Sequence, residues 1–315
     1  MCRGVSTQPS SGVSAFGSVA FAHTWDGRKL QYMTAIPTRD EHPDTVVVFE
    51  SGLGSAHTFW GLVQAHMATH VRTIVYCRAG YGRSDIDLEP RTVARMAKDL
   101  HAMIVAATAD QPSSKVILVG HSLGAAIVAH LAATASPAIR IAGLVLVDGV
   151  WADMPALRGS AYRRSLRLYA GGIQALAHLG VTRWITRALV DSMLPGAYAD
   201  EAKSYELTVA ATRSRARETQ GWIDDLTTTA ARTSFPNIPA IVLSAARTSL
   251  GGAKTHADII KSHQQVAHNA ARGKHRIIES SHNMLFDRPQ AITEAINDVL
   301  NTWSVNTDPP CDPQE

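Results

Sequence analysis

The sequence predicts a doubly wound α/β fold: a mostly parallel sheet, an N-terminal antiparallel hairpin and one inserted helical segment. Three observations carry that expectation. Six short, β-branched apolar runs recur along the chain, several apolar at nearly every position, as strands buried on both faces of a parallel sheet must be. Stretches of helical periodicity lie between them. The alternation breaks once, over residues 151–236, where no strand pattern occurs.

Residues 1–17 are rich in Ser and Gly, and 305–315 are polar and Pro-rich, so both are expected to be disordered tails. The stretch VAFAHTWDGRKLQYMTAIP, with its central Asp26–Gly27 pair, reads as an antiparallel hairpin at the sheet edge. The strand candidates follow as TVVVFE (45–50), VRTIVYC (71–77), KVILVG (115–120), IAGLVLVD (141–148), PAIVLS (239–244) and HRIIES (275–280). Val93, Met96, Leu100, Met103 and Ile104 share one helical face, and Ile292, Ile296, Val299, Leu300 and Trp303 share another. The α/β core is expected over 18–150 and 237–304. Residues 151–236 form short helical pieces broken by Gly159, Gly171–Gly172, Gly180 and Pro195–Gly196, a helical cap inserted into the core.

With 315 residues, 45% hydrophobic and 18% charged, the chain has a globular rather than a disordered balance. A net charge of +3 is too mild to indicate nucleic acid as a partner. Cys2, Cys77 and Cys311 are scattered, so neither a disulfide framework nor a metal cluster is expected. No continuous apolar stretch follows Arg3, which argues against a signal peptide and for a cytoplasmic location. The run from Ser122 to Ile139 contains His130 and Pro137 and fits a buried helix better than a membrane span.

The chemistry centres on GHSLG, residues 120–124, which joins the strand KVILVG to the helical run AAIVAHLAATA. A G-x-S-x-G nucleophile elbow requires this strand–turn–helix setting. Ser122 must sit at a strained backbone position, and side chains at 120 or 124 would meet the neighbouring helix and strand. With ESGLG at 50–54 and SSHNMLFDRP at 280–289, in this order, the chain resembles the α/β-hydrolase family over about residues 28–303. The resemblance implies Ser122 as nucleophile, His282 as its general base, and the backbone N–H groups of Leu53 and Leu123 as oxyanion donors. His121 is expected to point away from the elbow, and His130 to be a packed or solvated helix residue.

The acid that orients His282 is less obvious, because AIVLSAARTSLGG (240–252), where many members of the family carry it, contains no carboxylate. Asp258 is the next acid along the chain. It is also explained by a helix starting near Thr255, whose dipole favours an acid in the first turn. Asp148, at the end of the preceding strand, is preferred, while Asp258 and acids of the insertion such as Asp153 stay open. Arg247 is then left to loop geometry.

In CRAGYGRSD (77–85), Cys77 stands where the family commonly has an Asp, which leaves the anchoring of this loop in question; a buried strand-end thiol is its plain reading. Between Pro155 and Val190 there are six arginines and no acid: Arg158, Arg163, Arg164, Arg167, Arg183 and Arg187. That face is either solvated or makes weak contact with an anionic membrane surface. Trp60 and Met284 are expected to form an apolar acyl-binding wall. The expected activity is hydrolysis of small to medium lipophilic carboxylic esters through an acyl-enzyme on Ser122, with no cofactor and no metal. Lactonase, amidase, C–C hydrolase, acyltransferase and perhydrolase activities use the same scaffold. A non-catalytic ligand-binding protein is the rival of a different class.

Overall fold

The computed structural model describes residues 13–134, 137–151, 154, 159–178, 187–188, 190–206, 208–225, 237–247 and 252–304. Nine strands among them form one sheet: β1 (Val13–Ser14), β2 (Gly17–His23), β3 (Lys29–Ala35), β4 (Thr45–Glu50), β5 (Arg72–Tyr76), β6 (Lys115–His121), β7 (Arg140–Val147), β8 (Pro239–Ala245) and β9 (Arg272–Ile278). Their spatial order is β1-β2-β3-β5-β4-β6-β7-β8-β9. The pairs from β5–β4 to β8–β9 are parallel, and β1, β2 and β3 run antiparallel at one edge. The expected architecture is therefore present.

The hairpin turn forms because Gly27 takes φ +83°, and Thr24 N–H donates to Arg28 O at 2.9 Å. Residues 13–17, assigned above to a tail, are instead structured. Val13–Ser14 pairs with β2, Phe16 is buried, and the Ser14 hydroxyl and Ala15 N–H donate to the Glu201 carboxylate. One buried aromatic ring and one distant acid outweigh the Ser/Gly composition. Residues 1–12 and 305–315 lie outside the described residues. Strand β9 begins three residues before the expected HRIIES run, because Arg272, Gly273 and Lys274 pair with β8 as edge residues and need no apolar side chains.

Helices cover both faces. Among them, α1 (Gly61–Met67) and α9 (Pro289–Ser304) pack on one face, and α2 (Val93–Ala107), α3 (Leu123–Thr134) and α7 (Gly252–Asn269) on the other. The predicted stripes on α2 and, through Leu300, on α9 are buried, and the Trp303 side chain lies outside what is described. Thr92 caps α2 by accepting from Arg95 N–H at 3.2 Å. Helices α4 (Ser160–His178), α5 (Gly196–Glu206) and α6 (Val209–Asp225) lie between β7 and β8, and α8 (Met284–Asp287) precedes α9. Arg164, Arg167 and Leu168 are exposed on α4 and Arg163 is half-buried, whereas Arg158 and Arg183 fall outside the described residues. No described helix is long and apolar enough to cross a membrane.

From β4 the chain moves to β5 on one side and then to β6 on the other, so the strand order reverses beside β4. In an open α/β sheet, that switch point opens a crevice at the carboxyl ends of the strands. The ESGLG loop follows β4, GHSLG follows β6, and Asp148 follows β7.

Candidate active site

Ser122 sits in the turn between β6 and α3 at φ +54°. The two glycines around it are required by close approach. A Cβ at Gly120 would lie 2.4 Å from Gly124 O, and one at Gly124 would lie 2.4 Å from Glu50 O. Among the described residues the only other non-glycine at positive φ is Asp148, at +43°. Strain of this kind costs about 1–3 kcal/mol per residue and persists where the surroundings over-determine it. Here, Ser122 N–H donates to Val147 O at 2.9 Å and Asp148 N–H to Leu243 O at 2.8 Å.

Three of the expected residues meet. His282 Nδ1–H donates to Asp148 Oδ2 at 2.6 Å, which leaves Nε2 to accept from the Ser122 hydroxyl at 3.1 Å. Asp148 Oδ1 accepts the Ala245 N–H at 2.9 Å. Burial pushes the Asp148 carboxyl up, but the hydrogen bond and charge of His282, with His263 and Ala245 N–H, together hold it below its ordinary value. Asp148 thus stays ionised and fixes the His282 tautomer. The second candidate acid, Asp258, lies in the second turn of α7, because that helix starts at Gly252 and not near Thr255. Asp153 is outside the described residues.

The His282 loop between β9 and α8 is held from two directions. Asp287 Oδ2 accepts Ser281 N–H at 2.8 Å, and Arg247 ties its own N–H to Ser280 O at 3.0 Å and its guanidinium to Asp287 at 3.0 Å. Arg247 therefore links the acid-free end of β8 to the histidine loop.

His121 departs from expectation. Its ring lies beside that of His282, centroids 4.8 Å apart, and its Nε2–H donates to His282 O at 2.9 Å. As the last residue of β6 it points across to the neighbouring loop rather than away from the site. Burial, then the nearby His282, push its pKa down to about 3 from 6.5. Below pH 6.5 the unfolded chain then binds a proton that the native state refuses, so stability falls as pH drops from about 6.5 toward 3. His121→Gln is expected to flatten the stability curve between pH 6.5 and 4 by up to about 1.4 kcal/mol per pH unit, measured by urea unfolding. An unchanged slope would show that His121 does not supply it. His130, on α3, is half-buried.

Leu123 opens α3, and Leu53 lies in the loop after β4. Among the described residues neither backbone N–H donates to a protein atom. Gly52 packs against the elbow: a Cβ there would lie 3.3 Å from Ser122 Cβ. The expected acyl wall is not found. Trp60 and Met284 are both 0% exposed, Trp60 packing on Phe49 with ring centroids 4.9 Å apart. Both belong to the core between the sheet and α9, so they offer no surface to a substrate. Leu53, next to Gly52, and Val150 are both half-buried, and Val150 N–H donates to Ser122 O at 3.3 Å.

Cys77 is buried, and burial pushes its thiol well above its ordinary pKa. The carboxylate expected at its position is not needed. His57 Nδ1 lies 3.2 Å from Sγ, His57 Nε2 lies 3.1 Å from Glu201, and Ser84 Oγ–H donates to Cys77 O at 2.7 Å. The groups that sequence reasoning missed altogether are Arg78, Arg215 and Glu218, which hydrogen-bond the ESGLG loop, and Glu206, which accepts Ala56 N–H just beyond it. Three of them come from the insertion, more than a hundred residues away in the chain.

Residues 47–295 match the sequence profile described as the Alpha/beta hydrolase family. The chain belongs to the alpha/beta hydrolase family. A protein of Azorhizobium caulinodans named as a candidate carbamate hydrolase, RutD, is 32% identical over 147 residues, 45% of this chain and 53% of that protein. A namesake from Escherichia coli (strain K12 / DH10B) is 32% identical over 132 residues, 41% of this chain and 47% of that protein. The chain thus spans about half the length of the curated relatives it matches. Among solved alpha/beta hydrolase structures, an enol-lactonase from Burkholderia xenovorans LB400 superposes with TM-score 0.63 at 18% identity, covering 90% of this chain and 100% of that one. A thermophilic esterase from Thermogutta terrifontis gives TM-score 0.64 at 18% identity, covering 91% and 99%. At such identities these two speak to the fold alone.

Proposed function

We propose that the protein is a serine hydrolase that cleaves carboxylic esters of small to medium lipophilic substrates through an acyl-enzyme on Ser122. The hydrogen-bond chain Asp148–His282–Ser122, at 2.6 and 3.1 Å, carries this reading. Ser122 Oγ attacks the ester carbonyl carbon while His282 Nε2 takes the hydroxyl proton. The carbonyl oxygen, now anionic, accepts from the N–H groups of Leu53 and Leu123, the latter at the positive end of α3. His282 returns the proton to the departing alkoxide. Water, deprotonated by His282, then attacks the acyl carbon, releasing the acid and restoring Ser122. Asp148 holds the histidine and stabilises its cation throughout. The half-buried Leu53 and Val150 support a lipophilic acyl group in place of Trp60 and Met284. Helices α4 to α6, within 151–236, serve as the cap.

A carbamate carbonyl can follow the same addition, and the RutD names make it the second reading. The test is a fluorophosphonate probe together with a panel of p-nitrophenyl esters from acetate to decanoate and a matched aryl carbamate. One equivalent of label and faster turnover of the esters are expected. Turnover confined to the carbamate would replace the ester assignment while keeping Ser122 acylation. Absence of both label and turnover would leave a ligand-binding protein as the better reading.

A further inference from the structure

Beyond a turn closed by Ser55 N–H on Gly52 O at 3.3 Å and by Ser51 Oγ–H on Ala56 O at 3.0 Å, the loop that follows β4 is held by side chains from elsewhere, and they converge on Arg78. This buried guanidinium donates from Nη1 to Ser51 O and Glu50 Oε1, both at 2.7 Å. Its Nη2 donates to Gly52 O at 2.7 Å and to Glu218 Oε2 at 2.9 Å, and its Nε to Glu218 Oε1 at 2.7 Å. Glu218 Oε2 also accepts Gly54 N–H at 3.1 Å. From the same insertion, Arg215 Nε donates to Gly54 O at 2.8 Å, and Glu206 Oε1 accepts Ala56 N–H at 2.6 Å. The carbonyls of residues 51, 52 and 54 and the N–H groups of 54 and 56 are thereby committed.

Leu53 N–H is left over, and its direction is not independent. In a trans peptide the carbonyl of one residue and the N–H of the next share a plane and point opposite ways, and no described peptide bond is cis. Arg78 on Gly52 O therefore turns Leu53 N–H to the other side of the loop. We propose that Arg78, braced by Glu218 from the inserted helix α6, is a positioning residue that aims the Leu53 N–H at the oxyanion formed over Ser122. The inserted helices then complete the catalytic machinery as well as covering it. This rests on the acyl-enzyme reading above. Only Arg suits the position, since five N–H groups in a rigid fork serve two carbonyls and two carboxylates, whereas an ammonium has three.

Removing the charge outright would leave Glu50 and Glu218 buried without their shared partner and endanger folding. Arg78→Lys and Glu218→Gln are therefore the variants, with Arg91→Lys as control. Arg91 is as buried, bonds Asp87 and Asp99 and makes no bond to the loop. Each protein is assayed on a p-nitrophenyl ester and titrated with an alkyl trifluoromethyl ketone and its methyl-ketone analogue. In the fluorinated adduct Ser122 Oγ bonds the carbonyl carbon, the proton passes to His282, and the carbonyl π pair becomes the oxyanion. Arg78→Lys is expected to lower kcat by about 10–100-fold with KM within about threefold. It should weaken the trifluoromethyl ketone by the same factor and leave the methyl ketone unaffected. Glu218→Gln is expected to act in the same direction by about 3–10-fold, and it carries the test if Arg78→Lys does not fold. Arg91→Lys should lower Tm without changing trifluoromethyl ketone affinity. Equal affinity in wild type and folded Arg78→Lys, or equal losses in Arg78→Lys and Arg91→Lys, would overturn the assignment. If the wild type neither turns over esters nor binds the fluorinated ketone, the acyl-enzyme reading fails. The orientation of the Gly52–Leu53 peptide in a crystal structure of the better-folded loop variant then decides the positioning claim by itself: a turned peptide supports it and an unchanged one overturns it.

Discussion

Ser122→Ala is expected to lower ester turnover by about 10⁶-fold and to abolish fluorophosphonate labelling, with the fold intact. Only Oγ is removed, and the elbow's backbone has its own supports. Ser122 N–H donates to Val147 O at 2.9 Å, while Ala125 and Val150 N–H donate to Ser122 O at 3.1 and 3.3 Å. The alanine therefore inherits the same φ, and the circular dichroism spectrum should match that of the wild type. Some rate above that in water should persist, because the oxyanion donors still bind the substrate carbonyl. Steady-state kinetics with active-site titration measures both quantities. Turnover within tenfold of wild type, on protein shown free of contaminating esterase, would remove Ser122 as the nucleophile.

Asp148→Asn is expected to lower kcat by about 10⁴-fold, while Asp258→Asn stays within about twofold of wild type. The reason lies in two hydrogen bonds. Asn tolerates positive φ and can still accept Ala245 N–H with its carbonyl oxygen, so the amide group turns its NH₂ toward His282 Nδ1. A donor there forces Nδ1 to accept and places the ring proton on Nε2, where it blocks transfer from Ser122. The same variant should bind a methyl-ketone ligand normally, since no substrate contact is lost. Full activity in Asp148→Asn, with activity lost in Asp258→Asn, would move the acid one strand along.

Local patterns make the proposed nucleophile and its proposed base legible. A strand, a tight turn and a helix within about fifteen residues locate Ser122, and the loop between β9 and α8 locates His282. The proposed acid, Asp148, is legible only from a missing carboxylate and its own strand end, and the acid-free end of β8 meets it through Ala245 N–H. Trp60 and Met284 misled because proximity in sequence to a site motif says nothing about which face of a helix turns inward, and both turn into the core. Residues 13–17 and the loop clamp share one cause. Glu201 and Glu218 act on segments 187 and 140 residues away, and no periodicity or spacing records such a pairing.

The acid's place has a further consequence. Because Ser122 N–H rests on Val147 O, the proposed nucleophile and carboxylate ride on one ladder, β6–β7, with Asp148 also bonded to β8, and only the histidine depends on the edge strand β9. Fraying that begins at the β9 edge would carry His282 away while Ser122 and Asp148 stay in register. Heating should then produce a silent but still folded enzyme before cooperative melting, one that regains activity on cooling.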